Sequence, residues 1–236
     1  MLVQIYEVQT PEEARALANL GVDHIGVLVG DGAFPRELSI AQANAIFAAV
    51  SAGKKRVALS LSADPEAVAR IARETRPDII QLQAALQDFS VEMTRAFRNR
   101  FPEILIMRAI PVIDEASIEV ARSYQGVADF LLLDSYDPGT RQFGALGRAH
   151  DWNISRQIVD NVGIPVILAG GLGPENVAEA IAAVHPAVWI RRPRPIGRTG
   201  PARISQRCES LSPRRGSPGK GGRPQLDSTI VLNDAE

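Results

Sequence analysis

The sequence is poor in the residues that build cross-linked and metal-bound proteins. Its 236 residues include one cysteine, Cys208, and three histidines, His24, His150 and His185. A single cysteine excludes a disulfide framework within the chain and any multi-cysteine metal site. No two histidines have the spacing of metal ligands. We therefore expect no metal and no cofactor, and structural or surface roles for all three histidines.

Long apolar runs are also missing. No stretch of about 18 apolar residues occurs, which excludes a membrane-spanning helix. The first residues, Met1–Gln4, lack the basic and apolar regions of a secretory signal. We therefore expect a cytoplasmic protein with no membrane partner.

The small net charge of −1 is the sum of two unlike segments. Residues 1–186 hold 16 of the 26 Lys and Arg residues and 23 of the 27 Asp and Glu residues. Residues 187–236 carry nine arginines, one lysine, six prolines and six glycines against four acidic residues, and show no clear periodicity. Such a composition predicts disorder. We therefore expect a folded domain over residues 1–190 and a basic tail over residues 191–236.

Apolar runs and helical patterns alternate along the first segment. Thr10, Pro11 and Glu13, for example, form the start signal of a helix that Gly21 ends. Seven strand–helix units of about 27 residues each result. The predicted strand and helix pairs are 2–8 with 11–20, 24–29 with 39–50, 56–61 with 64–75, 78–83 with 89–100, 104–110 with 114–124, 129–134 with a helix from Asp151, and 165–169 with 174–184.

This alternation predicts an α/β fold with a parallel sheet. Continuous apolar runs such as Phe130–Leu133 suit strands that are buried on both faces. Repeated strand–helix units form either a doubly wound sheet or a (β/α)8 TIM barrel. The short period, and the lack of a glycine-rich fingerprint after the first strand, favour the barrel. Only Ala187–Ile190 can supply an eighth strand, so we expect the eighth unit to be incomplete or replaced.

The carboxyl ends of the strands carry the candidate site residues, because that end of a barrel carries the active site. Asp134 ends the sixth strand, where a carboxylate suits either a barrel mouth or a loop cap. Arg36 follows the second strand and can hold a carboxylate or phosphate, or be a solvated arginine. Gly170 and Gly171 lie between the seventh strand and a predicted helix, where backbone N–H groups can hold a phosphate.

Several segments, taken in order, resemble the phosphoribosylanthranilate isomerase family of tryptophan biosynthesis. The resemblance spans roughly residues 2–186. It implies a barrel that catalyses an Amadori rearrangement, an aldose–ketose isomerisation of a small phosphorylated sugar, as a monomer or homodimer. The segments are P-R-E-L-S at 35–39, Q-L at 81–82, L-L-L-D-S at 131–135, G-A-L-G-R-A-H-D-W at 144–152, P-V-I-L-A-G-G-L at 165–172 and P-E-N-V at 174–177.

The resemblance also implies roles for individual residues. The family's general acid is an aspartate in the L-L-L-D segment, which matches Asp134 here. The arginine of its P-R segment contacts the anthranilate carboxylate, which matches Arg36. Its A-G-G-L loop holds the phosphate, matching Gly170 and Gly171, and the Q-L segment assigns Gln81 to substrate binding.

Two family motifs are altered in this chain. The family's first strand reads K-I-C-G, with the cysteine as general base, whereas this chain reads Gln4–Glu7 with Tyr6 at the position of the base. A tyrosine, with an ordinary pKa near 10, is a poor base near neutrality. Glu7 is the possible substitute, although strand alternation points it away from Tyr6 unless the strand end is distorted. The family's Q-L-H-G reads Q-L-Q-A at residues 81–84.

Two other functions stay open at this point. The barrel could bind a phosphate or sugar phosphate without catalysis, or act on a different substrate, with Asp134 and Arg36 kept for binding. Alternatively, the nine arginines of the tail could bind nucleic acid by counterion release. No aromatic ladder for base stacking accompanies those arginines, so we expect no nucleic-acid partner.

The tail could also arise from a changed reading frame. The family's eighth strand reads G-V-D-S, whereas this chain has A-V-W-I-R-R-P at residues 187–193. The codons of these residues, read one nucleotide out of phase, permit G-V-D-S-K-T. A single-nucleotide deletion near Ala187, in the gene or its sequencing, would therefore replace the true end of the chain with out-of-frame residues.

Overall fold

Strands and helices alternate along the chain in the order that the sequence predicts. The computed structural model describes residues 3–140, 142–173, 175–186 and 188–191, the last four by their backbone alone. The elements are β1 (Val3–Ile5), α1 (Pro11–Asn19), β2 (His24–Leu28), α2 (Ile40–Phe47), β3 (Lys55–Ser60), α3 (Pro65–Thr75), β4 (Ile79–Leu82), α4 (Val91–Arg100), β5 (Leu105–Val112), α5 (Ala116–Ser123), β6 (Phe130–Asp137), β7 (Gln142–Phe143), α6 (Trp152–Asn161), β8 (Val166–Leu168), α7 (Val177–Val184) and β9 (Val188–Arg191).

Eight parallel strands form a closed ring. Strands β1 to β6 pair in chain order, β6 pairs with β8, β8 with β9, and β9 with β1. The backbone of Val188–Arg191 therefore supplies the eighth strand of the barrel. This ring confirms the (β/α)8 barrel, and among the described residues its eighth unit consists of this strand alone.

The predictions for the basic tail lie outside the described residues. Arg191 belongs to β9, and the description of the chain ends there. The expected disorder of the tail, its changed reading frame and its binding of nucleic acid therefore stay predictions.

Polar side chains cap the starts of most of the described helices, as the sequence indicates. The Thr10 hydroxyl accepts a hydrogen bond from the Glu13 N–H at 3.1 Å, and Pro11 occupies the first turn of α1. Ser39 and Gln42 form a reciprocal capping box at the start of α2. In the described part of the chain, no helix is both long and apolar enough to cross a membrane.

A buried arginine ties the loop after β4 to the barrel wall. Arg108 has no exposed surface, and its guanidinium donates to the carbonyls of Leu82, Ala84 and Phe89 at 2.6, 2.7 and 3.2 Å. The guanidinium also lies over the Tyr124 ring, 5.5 Å from the ring centroid. Burial lowers the pKa of Arg108 from its usual value. These bonds hold the segment that directly follows β4.

Three of the boundaries that differ from the sequence prediction lie next to candidate site residues. Strand β1 ends at Ile5 rather than at residue 8, because Glu7 has a left-handed φ of 57° that an extended strand cannot hold. Strand β6 continues to Asp137 and pairs with the short strand β7, where the sequence predicted only a loop.

Helix α7 begins at Val177 rather than at residue 174. The side chain of Asn176 accepts from the Gly173 N–H at 2.7 Å and donates to the Gly171 carbonyl at 2.9 Å. These two bonds fold the residues that follow Gly171 into a turn. The sequence predicted that the helix begins soon after the two glycines, at residue 174. In the structure this turn separates the glycines from the first turn of the helix.

Candidate active site

A buried carboxyl group lies at the carboxyl end of β6. The side chain of Asp134 accepts from the Ser135 N–H at 2.8 Å, and the residue is 5% exposed. Burial raises the pKa of Asp134 to about 7, against the opposing effect of hydrogen bonds from Ser135 and from the Gln83 amide. Near neutral pH this group can therefore both hold and release a proton, which suits a general acid.

Two glycines bring loop backbone against this carboxyl group. A Cβ atom at Gly144, where φ is 73°, would lie 2.5 Å from Asp134 Oδ2 and 2.9 Å from Gln83 Nε2. A Cβ atom at Gly170, where φ is 84°, would lie 3.2 Å from Asp134 Oδ1. Both positions have a left-handed backbone; a Cβ atom would collide with Asp134 at Gly144 and would be a tight contact at Gly170. The loops after β7 and β8 thus both approach Asp134.

The second predicted loop glycine joins these two loops. A Cβ atom at Gly171, where φ is 59°, would collide with the backbone of Arg148 and Ala149. Gly171 therefore allows the loop after β8 to lie directly on the segment that precedes α6. The described residues thus account for both glycines of the pair by close backbone approach, and their binding of phosphate stays a prediction.

His150 lies beside the same carboxyl group, which the sequence did not predict. A Cβ atom at Gly170 would lie 3.0 Å from His150 Nδ1. The other ring nitrogen, Nε2, is 2.7 Å from the Ser155 hydroxyl. Burial lowers the pKa of His150 to about 4, so the ring is neutral near pH 7. The available signal was its place in the 144–152 segment, directly before Asp151, the N-cap of α6.

The buried Nδ1 atom of His150 has no hydrogen-bond partner among the described residues. A neutral imidazole carries one donor and one acceptor nitrogen, and Nε2 already contacts Ser155. An unsatisfied polar atom in a buried position is costly. We therefore count His150 among the candidate site residues.

Arg36 contacts an acidic residue of the protein itself. Its terminal nitrogen donates to the Glu7 carbonyl at 2.8 Å, and its Nε lies 2.7 Å from Glu7 Oε2. We describe the Nε contact as an ion pair. The Glu7 side chain is 9% exposed. The structure thus joins the predicted carboxylate-binding arginine to the predicted substitute base.

Residues 3–190 match the family model described as N-(5'phosphoribosyl)anthranilate (PRA) isomerase. The chain belongs to the phosphoribosylanthranilate isomerase family. A relative from Methanocella arvoryzae, named N-(5'-phosphoribosyl)anthranilate isomerase, is 38% identical over 184 residues, which cover 78% of this chain and 84% of the relative.

Solved structures of the phosphoribosylanthranilate isomerase family share the fold. The enzyme from Thermus thermophilus has a TM-score of 0.68 at 28% identity, covering 81% of this chain and 87% of that chain. Another structure, at 25% identity and a TM-score of 0.64, covers 79% of this chain and 84% of that chain. It holds reduced 1-(o-carboxyphenylamino)-1-deoxyribulose 5-phosphate.

Tyr6 is the residue that the resemblance matched to the cysteine base of the phosphoribosylanthranilate isomerase family. The side chain is partly buried and packs against the core. The Tyr6 side chain fits beside β2 because residue 26 is glycine, since a Cβ atom at Gly26 would lie 2.9 Å from Tyr6 Cβ. Tyr6 as the base of the reaction stays a prediction.

Gln81, the predicted substrate-binding residue, lies inside the barrel. It is 4% exposed, and both ends of its amide make hydrogen bonds. Its Oε1 accepts from Gln4 Nε2 at 3.1 Å, and its Nε2 donates to Gln83 Oε1 at 3.1 Å. Gln83 therefore lies between Gln81 and Asp134, and direct contact of Gln81 with a substrate stays a prediction.

Proposed function

We propose that this chain catalyses the isomerisation of N-(5'-phosphoribosyl)anthranilate in tryptophan biosynthesis, with Asp134 as the general acid. The observation that carries the proposal is the buried Asp134 carboxyl at the carboxyl end of β6, whose pKa burial raises to about 7. An acid with a pKa near the working pH combines the protonated form with an adequate tendency to donate.

The chemistry requires one proton donor and one proton acceptor. Asp134 gives its proton to the ring oxygen of the ribose, and the bond between that oxygen and C1 breaks with its electron pair on the oxygen. The nitrogen lone pair then forms a C1=N iminium. A base removes the proton from C2, the released electron pair forms the C1=C2 bond of an enaminol, and the π pair of the C1=N bond returns to the nitrogen. Tautomerisation of the enaminol gives the ketose, so the reaction needs no oxidant or reductant.

We assign the base to Glu7 rather than to Tyr6. Carboxylates are ordinarily ionised at neutral pH, whereas phenols keep their proton until about pH 10. The Glu7 carboxylate contacts Arg36 Nε at 2.7 Å, and Arg36 is also the proposed ligand of the substrate carboxylate. Binding of the substrate carboxylate to Arg36 would thus exchange one carboxylate for another and release Glu7 toward the substrate.

The remaining contacts follow from the loops around Asp134. We propose that Gly170 and Gly171 offer backbone N–H groups to the phosphate, and that His150 Nδ1 supplies a hydrogen bond to the bound sugar. The unpartnered, buried Nδ1 among the described residues supports this role for His150. We further propose a cytoplasmic monomer or homodimer with no nucleic-acid partner.

The test is turnover of N-(5'-phosphoribosyl)anthranilate by the full chain and by Asp134→Asn. The asparagine keeps the size of the side chain and removes the transferable proton. We expect kcat to fall about 10²–10⁴-fold, while the affinity for a reduced product analogue changes less than about threefold. Binding of the analogue without turnover by the unaltered chain would favour a non-catalytic barrel instead.

A further inference from the structure

A line of buried polar side chains crosses the interior of the barrel and ends at Asp134. Gln4 Oε1 lies 3.1 Å from His24 Nδ1, and Gln4 Nε2 donates to Gln81 Oε1 at 3.1 Å. Gln81 Nε2 donates to Gln83 Oε1 at 3.1 Å. Gln83 Nε2 and Asp134 Oδ2 both border the Cβ position of Gly144, at 2.9 and 2.5 Å, and the Gln83 amide acts to lower the pKa of the Asp134 carboxyl. The five residues are between 0% and 8% exposed.

These hydrogen bonds all run in one direction. An ionised carboxylate can only accept, so Gln83 must present its NH2 group to Asp134. The Gln83 oxygen is then the acceptor for Gln81, and the Gln81 oxygen is the acceptor for Gln4. The Gln4 oxygen needs a donor in turn, and His24 supplies it through a protonated Nδ1. Each amide therefore turns its positive end toward Asp134.

Three buried amides in a barrel interior destabilise the fold unless every polar atom in the line is paired. A buried polar group that loses its partner costs about 1–3 kcal/mol, so these side chains resist rotation. In a medium of low dielectric constant, successive hydrogen bonds also polarise one another. A change at one end of such a line is therefore felt at the other end.

We propose that Gln4, Gln81 and Gln83 are positioning residues that form a one-way amide relay, orienting the Asp134 carboxyl and coupling it to the donor at His24. We use the term amide relay for the line from His24 to Asp134. Its importance for catalysis rests on the proposed function, in which Asp134 is the acid. Its effect on the ionisation of Asp134 is a property of the folded barrel and can be measured without turnover.

The charged and titratable groups around the two ends are few. At one end, His150 Nδ1 and Asp134 Oδ1 border the same Cβ position at Gly170, at 3.0 and 3.2 Å, and burial lowers the pKa of His150 to about 4. At the other end, Asp23, Lys54, Lys55 and Asp78 act on His24. Two of these groups are acidic and two are basic, and burial has the larger effect, lowering the pKa of His24 to about 4. His24 is thus neutral near pH 7 and can donate through Nδ1.

The test is a 13C NMR titration of the Asp134 carboxyl carbon in the full chain, assigned with Asp134→Asn. Gln83→Met removes the adjacent donor and should raise the pKa of Asp134 by about one to two pH units, the equivalent of a hydrogen bond to a charged group. Gln81→Met and Gln4→Met should raise it by successively smaller amounts. The matched control is Thr75→Val, which removes a buried hydroxyl bonded to the Ile71 carbonyl in α3, away from the relay.

The far end of the relay supplies a second pair of variants. His24→Leu removes the donor to Gln4, whereas His24→Asn keeps an N–H group near the position of Nδ1. We expect His24→Leu to raise the pKa of Asp134 and His24→Asn to restore it. The relay is overturned if Gln83→Met alone shifts the titration, or if His24→Leu and His24→Asn give equal values.

Turnover separates this proposal from the proposed function. If Asp134 is the acid, the high-pH limb of kcat must move upward together with the NMR titration in each relay variant. A titration that shifts in a protein without isomerase activity would keep the relay and refute the function. Activity with an unshifted titration would do the reverse.

Discussion

Arg36 and Glu7 form an ion pair of 2.7 Å between Nε and Oε2, and both residues have a left-handed backbone, with φ of 66° and 57°. Non-glycine residues rarely hold this conformation, which costs about 1 kcal/mol or more and needs support from its surroundings. The ion pair and the bond from Arg36 to the Glu7 carbonyl supply that support. A substrate carboxylate that binds Arg36 must therefore compete with Glu7.

This competition predicts a split between KM and kcat for Glu7→Gln. The neutral amide holds Arg36 less strongly, so KM for the proposed substrate should fall, while loss of the base should lower kcat about 10²–10³-fold. Steady-state kinetics on Glu7→Gln and on Tyr6→Phe checks this prediction. Tyr6→Phe is the matched comparison because it removes only the hydroxyl. A large loss of kcat in Tyr6→Phe together with a retained kcat in Glu7→Gln would assign the base to Tyr6 instead.

Asp134→Asn should change how stability depends on pH. An unfolded aspartate loses its proton near pH 3.9, whereas folded Asp134 keeps it until about pH 7. Between these values the unfolded chain releases a proton that the folded chain retains, so the wild-type free energy of unfolding falls as pH rises. Asparagine does not titrate, so the variant does not show this fall. From pH 4 to pH 7 the free energy of unfolding of the variant should rise relative to that of wild type by up to about 4 kcal/mol.

Urea denaturation at intervals between pH 4 and pH 8 measures this difference. Asp88→Asn is the matched control, because it makes the same exchange at an exposed position and should run parallel to wild type. A constant difference between Asp134→Asn and wild type across this range would mean that Asp134 has an ordinary pKa.

His24→Asn should change the pH dependence of the free energy of unfolding in the opposite direction. Burial lowers the pKa of His24 to about 4, while a histidine in the unfolded chain titrates near 6.5. As pH falls from 6.5 to 4, the unfolded chain takes up a proton that folded His24 refuses, so wild type loses up to about 3 kcal/mol. The variant lacks this loss, so its free energy of unfolding should rise relative to that of wild type as the pH falls, in the same denaturation series. His185→Asn, at an exposed C-cap, should not gain.

Gly144→Ala should separate backbone strain from contact with the acid. The new methyl group would lie 2.5 Å from Asp134 Oδ2, in a residue with φ of 73°. Gly53→Ala has a comparable φ of 86° but nothing within 4 Å of the new Cβ atom. Both variants should lose about 1 kcal/mol from the left-handed backbone. Only Gly144→Ala should also lower kcat or shift the Asp134 titration, and equal kinetics in both would remove the contact as a cause.

Arg108→Met should destabilise the barrel wall. Three backbone carbonyls that accept from Arg108 would lose a buried donor, so we expect thermal or urea denaturation to show a loss of about 2–4 kcal/mol. Arg70 is exposed and pairs with Asp31. Arg70→Met should lower the free energy of unfolding by less than about 1 kcal/mol. Similar losses in the two variants would show that Arg108 contributes no more than a surface arginine.

The sequence by itself determined the barrel and its family. Helix caps such as Thr10 and Ser39 and apolar runs such as Phe130–Leu133 depend on residues close together in the chain, so local rules identify them. The motifs around Asp134 and Arg36 likewise carried the resemblance to the family, because each motif is a short continuous segment. Asp134 could also be placed at the carboxyl end of its strand, since parallel strands share that edge.

Only the tertiary structure decided how the site is assembled. The contact of Glu7 with Arg36 joins residues 29 positions apart and depends on β1 ending at Ile5. The bond from Gln4 to Gln81 spans 77 positions. No local pattern marks such pairs, because their energies arise from burial, which exists only after the ring of strands has closed. The same burial sets the pKa of Asp134 and keeps His150 neutral.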